Sequence, residues 1–291
     1  MAGITLAPPG KPAAVRVAGH ALTIVGVLAL SLLVQLVLIG GLQHNRDQDV
    51  AYTAFRTQLA NATAPVGPLG QDGHLLESGT PVALLSIPRL DLSQVIGEGT
   101  SAEALKSGPG HRRDTVLPGQ PGASVVMARR AGFGGPFQRI GELASGDQIT
   151  VTTGQGQYRF QVLGVRHAGD PQPAAVGKNE GRLTLVTADG PPYLPTDVLR
   201  VDAALTGTPV AGSGLLPAYA LPDDEQAMAG DRGALVPLVS WAFVLLLAAA
   251  GVVYTHQRLG LWQGWVIGVP VLGALGLAVA DAIASMLPNL L

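Results

Sequence analysis

The chain has 291 residues, a formal net charge of −2 and only 13% charged residues, with 47% hydrophobic residues and a mean hydropathy of +0.35. This balance, without a basic stripe, argues against nucleic acid as a partner, and the hydropathy points to a membrane. The absence of cysteine excludes disulfides, thiolate metal sites and a thiol nucleophile; the six histidines lack ligand spacing, so neither a metal nor a cofactor is expected.

In chain order, residues 1–17 carry Lys11 and Arg16 and precede an apolar run over residues 18–42 that is free of formal charge. About 20 apolar residues cross a bilayer core, so the run is expected to span it. It is longer than the apolar region of a signal peptide and shows no small-residue cleavage site, which predicts an uncleaved anchor. Residues 43–80 begin with a segment in which Val50, Phe55 and Leu59 fall near one helical face, predicting an amphipathic stalk. A proline- and glycine-rich linker follows from Pro65.

Residues 81–206 read as β: short β-branched runs are separated by glycine, proline and asparagine, the pattern of a sandwich or barrel. Thr100 and Glu103 have the spacing of a capping box ahead of Ala104, Leu105 and Lys106. After a linker over 207–232, residues 233–254 and 261–287 form a second and third apolar run, a helical hairpin around Arg258. The positive-inside rule then places Lys11, Arg16 and Arg258 in the cytoplasm and residues 43–232 outside, in a multi-pass membrane protein. Trp262 and Trp265 suit an interface, and the pair Gly264 and Gly268 suits close helix packing. Asp281 falls roughly 27–30 Å along a helix starting near Leu261, at the level of the outer headgroups, and reads as a solvated acid rather than a buried functional one.

One ordered series of landmarks carries more. It runs through Ile87-Pro88-Arg89-Leu90, Glu98-Gly99-Thr100, Gly108-Pro109-Gly110-His111, Leu117-Pro118-Gly119 and Ser124 to Met127. It continues with Phe133 to Phe137, Gly146-Asp147 and Arg182-Leu-Thr-Leu-Val-Thr187. This succession resembles the sortases, the membrane-anchored cysteine transpeptidases of Gram-positive bacteria, and is similar in particular to actinobacterial class E members. The resemblance implies a mainly β fold, an eight-stranded β-barrel with a groove that receives a sorting peptide, here with one N-terminal and two C-terminal transmembrane helices. It also implies a strand-end cysteine as nucleophile, a histidine that handles the leaving amine's proton, and an arginine that stabilises the oxyanion.

Carried over residue by residue, the cysteine position falls on Ala188 and the histidine position on Arg129. A methyl has no lone pair with which to attack a carbonyl, and a guanidinium stays protonated near neutral pH. The arginine position falls on Val198, with Arg200 on the same strand face; Arg200 either reaches the site or pairs with Asp202 as an ordinary solvated charge. Arg129, Arg130 and Arg200, with Asp189 and His111 near them, are the candidate binding residues, a basic corner suited to a carboxylate. Against this stands a salt-bridged rim involving Asp147, Asp189 or Glu142. His111 and His167 read as surface or structural histidines.

Three functions follow. The first is a divergent, catalytically silent pseudoenzyme at the bacterial surface, binding a peptide, a cell-wall component or a protein partner. The second is an active hydrolase or transpeptidase using Thr187, Ser124 or Asp189. The third is an assembly role carried by the membrane segments. The expected partners are the lipid bilayer and a peptide, a cell-wall component or a protein, with no nucleic acid.

Overall fold

The computed structural model describes residues 26, 28–70, 72–212, 214–259 and 261–291; for residues 253, 255–259 and 261–267 only the backbone is described. The expectations for residues 1–17, with Lys11 and Arg16, and for the side chains of Arg258, Trp262, Gly264 and Trp265 lie outside this description.

Eight strands close into the expected barrel. They are β1 (Pro81–Ile87), β2 (Leu92–Glu98), β3 (Gly110–His111), β4 (Gly122–Met127), β5 (Gln148–Thr153), β6 (Gly156–Arg166), β7 (Gly181–Asp189) and β8 (Asp197–Leu205). Around the barrel their order is β1-β2-β3-β4-β7-β8-β6-β5. The β2–β3 and β4–β7 pairs are parallel and the others antiparallel. Alternation sends Leu85, Ile87, Val126, Leu183, Leu185 and Val201 into the interior, where they form the main core. In β6 buried and exposed residues alternate, so its outer face meets solvent; in β7 seven of nine residues are buried on both faces. Something therefore covers the outside of β7.

Helix α1 (Leu28–Ala60) is long and apolar enough to cross a membrane, and so are two helical stretches near the other end, Arg232–Val252 and Gly268–Met286. The latter two belong to α3 (Leu235–Leu259) and α4 (Leu261–Met286). Where α3 and α4 meet, a Cβ on Gly268 would lie 2.9 Å from Val252 Cγ1, so the small residue permits the close approach.

The outer part of α1 is not a free amphipathic stalk. Phe55 is buried, but Val50 and Leu59 are exposed. The face that packs on the barrel runs instead through His44, Gln48 and Phe55, at helical spacing but mostly polar. The Gln48 amide acts like a strand residue: its Oε1 accepts from Val95 N (2.7 Å) and its Nε2 donates to Val95 O (3.2 Å) and Ser107 O (2.9 Å). Lower down, a π-turn (Gln35–Ile39) interrupts α1, and Phe133 N donates to Leu36 O (3.2 Å).

The capping box does not form. Short α2 (Ala104–Ser107) is capped by Ser101 Oγ, which accepts from Ala104 N (3.3 Å), while Thr100 Oγ1 donates to Glu225 O. Glu103 instead pairs with Lys106 (2.8 Å). Asp281 is not simply a solvated acid either: its Oδ1 takes Lys106 Nζ (3.0 Å) and Gln35 Nε2 (3.1 Å), joining α1, α2 and α4 at one point.

Candidate functional site

On the outer face of β4, β7 and β8, register places Met127 beside Val186, and Ala188 beside Val198. Alternation turns these four side chains away from the core, and with Leu105 they form a separate apolar cluster. Ala188 sits on this floor but is only 1% exposed, because the side chain of Leu290, itself 0% exposed, packs into the same cluster. Ala227 and Met228 close its flank.

Backbone and side-chain hydrogen bonds hold this cover. Arg130 N donates to Leu290 O (2.9 Å) and Asn289 N to Ala229 O (2.8 Å). The Asn289 amide Nδ2 donates to both Thr100 O and Gln226 O at 2.8 Å. This apolar outer face of β4, β7 and β8 is thus covered by residues of the same chain that follow α4.

Arg129 lies under this cover and is 0% exposed. Its guanidinium donates to Ala102 O (2.7 Å) and Leu291 O (3.5 Å) and stands 4.9 Å over the Phe133 ring, leaving Nε without a partner. Burial lowers its pKa to about 10, against the opposing pull of Glu103 and Asp281. It therefore stays charged near neutral pH and has no exposed donor for an outside carboxylate.

Arg130 is also engaged, donating to Ala188 O (3.0 Å) and Asp189 Oδ1 (3.4 Å). Of the three acids weighed for the rim, Asp189 alone takes one of these arginines; Asp147 pairs with Arg89 and Glu142 with Arg139. Asp189 further binds the His167 ring Nδ1 at 2.6 Å. The hydrogen bond to Asp189 raises the His167 pKa, and the same bond, aided by Gly190 N–H and opposed by partial burial, holds the Asp189 carboxyl below its usual range. The outcome is a line of three ionisable groups, Arg130, Asp189 and His167, at the end of β7. Sequence reasoning left His167 out of the site; the only cue was its position at the end of the β6 run, 22 residues from Asp189.

The remaining candidates divide. Arg200 lies on the same outer face, opposite Val186 and half-buried, and its guanidinium has no hydrogen bond or ion pair to any described residue. It does not pair with Asp202, whose carboxylate takes Arg166 Nε (2.5 Å) and Thr184 Oγ1 (2.8 Å). His111 is not on this face: it is buried in β3, with Nδ1 2.9 Å from Glu98 Oε2 and Nε2 3.0 Å from Val116 O, a structural cross-link. Thr187 is buried and its hydroxyl donates to Ala128 O (2.9 Å). Ser124 is buried with an unpartnered hydroxyl.

Residues 85–203 match the sequence profile of the sortase domain. Sortase D of Bacillus subtilis (strain 168) is 32% identical over 118 residues, covering 40% of this chain; the chain spans about half of that relative's length (54%). Among solved structures, the Clostridium perfringens sortase D5 transpeptidase is similar with a TM-score of 0.44 and 20% identity, over 56% of this chain and 98% of that one. A sortase E from Streptomyces avermitilis is similar with a TM-score of 0.39 and 28% identity, over 52% of this chain and all (100%) of that one.

Proposed function

We propose, starting from a barrel that carries a sortase domain over residues 85–203, that this protein is a catalytically silent, membrane-held member of that group with a binding role at the outer surface of the cell membrane. The order of sequence landmarks supports a class E-like, actinobacterial assignment. The three apolar helices support a multi-pass protein with the barrel outside the cytoplasm, and the groove that the resemblance implies supports a peptide, cell-wall component or protein as ligand class.

One observation carries the reading: the chain has no cysteine, so the thiol that the family uses is missing, and the strand-end position that corresponds to it by resemblance is Ala188. Neither covalent attack nor acid–base transfer has a group to perform it there, and acid–base transfer alone contributes about 10²–10⁴-fold in rate. The substitute nucleophiles are poorly disposed. Thr187 and Ser124 are buried, and Asp189 is bound by Arg130 and His167. Incubation of the purified full chain with sorting-peptide probes, followed by intact mass spectrometry, is expected to show no covalent adduct; an acyl-enzyme, or a peptidase activity abolished by Thr187→Ala, refutes the reading.

A further inference from the structure

Residues 288–291, Pro-Asn-Leu-Leu, sit on the apolar face over Ala188 as a ligand sits in a site. They add no strand to the barrel, whose hydrogen-bonded circuit is already closed by β1 to β8. Their contacts are of the two kinds that give peptide recognition its strength and its selectivity: main-chain bonds, and side chains placed in dedicated surroundings. The main-chain part is Leu290 O with Arg130 N and Asn289 N with Ala229 O, extended by the Arg129 guanidinium on Leu291 O. For the side chains, Leu290 fills the apolar floor over Ala188, and one amide of Asn289 reads two backbone carbonyls, Thr100 O and Gln226 O.

Arg129 gains an explanation. Its guanidinium would be a costly buried charge without acceptors, and one of its two acceptors, Leu291 O, belongs to the segment it helps to hold.

We infer that residues 288–291 are a resident ligand of the apolar face over Ala188, an internal stopper that an outside peptide with the same Asn-Leu pair replaces once the stopper is dislodged. The inference deepens the binding role proposed above, and its test does not depend on whether the protein is catalytically silent.

Because the chain has no cysteine of its own, Ala188→Cys introduces a single thiol on this apolar face. Its rate of reaction with a small charged methanethiosulfonate, followed by intact mass, reports occupancy in the full-length protein. The thiol is expected to react slowly in otherwise unaltered protein. Adding Asn289→Ala and Leu290→Asp is expected to speed the reaction about tenfold or more, the order set by losing one buried leucine. An excess of synthetic peptide with the sequence of residues 284–291 is expected to slow it again, while a peptide carrying the same two changes is not.

Rapid labelling before any change to Leu290, no acceleration after it, or no protection by the peptide each overturns the inference. A second reporter, Leu185→Cys in the barrel interior, should stay unlabelled throughout. If the charged variant exposes that thiol, Leu290→Ala takes its place, with the same criterion of acceleration and peptide protection. An acyl-enzyme found with the probes described earlier would sink the proposed silence and leave these rates unaffected.

Discussion

Replacing Lys106 by methionine removes the ammonium that joins the barrel to the C-terminal helical hairpin while keeping most of the side chain's packing. The Lys106 side chain is 9% exposed, with Asp281 Oδ1 at 3.0 Å and Glu103 Oε2 at 2.8 Å. A hydrogen bond between charged groups contributes about 1.5–3 kcal/mol. Two features lower the figure for Asp281→Asn: the carboxylate is 44% exposed, and Lys106 retains Glu103. We therefore expect about 1–2 kcal/mol for either single change, and a double variant little worse than one single, an interaction energy of about 1 kcal/mol in the double-mutant cycle. In melting temperature each kcal/mol corresponds to about 2–4 °C for a domain of this size. The assay is thermal unfolding in detergent, with far-UV circular dichroism for the whole chain and fluorescence for the hairpin, since all three tryptophans, Trp241, Trp262 and Trp265, lie in α3 and α4. Single changes that add within about 0.3 kcal/mol would refute the link between barrel and hairpin.

Arg129→Ala is expected to cost about 3–5 kcal/mol in the same melts, through the cavity left by a fully buried side chain and the bonds lost to Ala102 O and Leu291 O. Gly110→Ala would drive its Cβ into the Gly99 carbonyl oxygen where β3 runs beside β2, a clash worth about 3 kcal/mol or more. Gly156→Ala enters open space, but at φ +138° its backbone is in a region held almost only by glycine, so it should cost about 1–3 kcal/mol through strain alone. At the rim, the raised His167 pKa means that its bond to Asp189 stabilises the fold below the ordinary histidine range and is lost as pH rises through the raised value. The depressed Asp189 contributes above the ordinary carboxylate range and is lost as pH falls through its lowered value, so the pair is strongest between the two. An NMR titration of the His167 ring should therefore show a midpoint above that of a free histidine, and Asp189→Asn should bring it down.

The barrel was legible because its strands obey local rules: β-branched runs, glycine and proline turns, and alternation that assigns Ala188, Val198 and Arg200 to one face. What eluded the sequence is what remote segments contribute. The face of α1 that meets the barrel is lined by His44 and Gln48, so a search for apolar periodicity picked out exposed Val50 and Leu59 instead. Whether Arg129 faces solvent or lies buried depends on Ala102 and Leu291, up to 162 positions away. Thr100 looked like a helix cap, but its hydroxyl is claimed by Glu225, 125 positions away. Arg200 lost Asp202 because a register shift between Val162 and Gly164 sets β6 so that Arg166 reaches that carboxylate. No local pattern announces that Asn289 and Leu290 cover the apolar face over Ala188.

The grip of Gln48 on the edge of β2 has a further consequence. Between Gln35, which meets Asp281, and Gln48, α1 rises by about 20 Å as one helix, so the barrel is bolted to a bracket rather than moored on a rope. It cannot swing freely about α1. In the membrane-held arrangement proposed above, a ligand would have to meet it at one altitude, as a chain tethered to the same bilayer would.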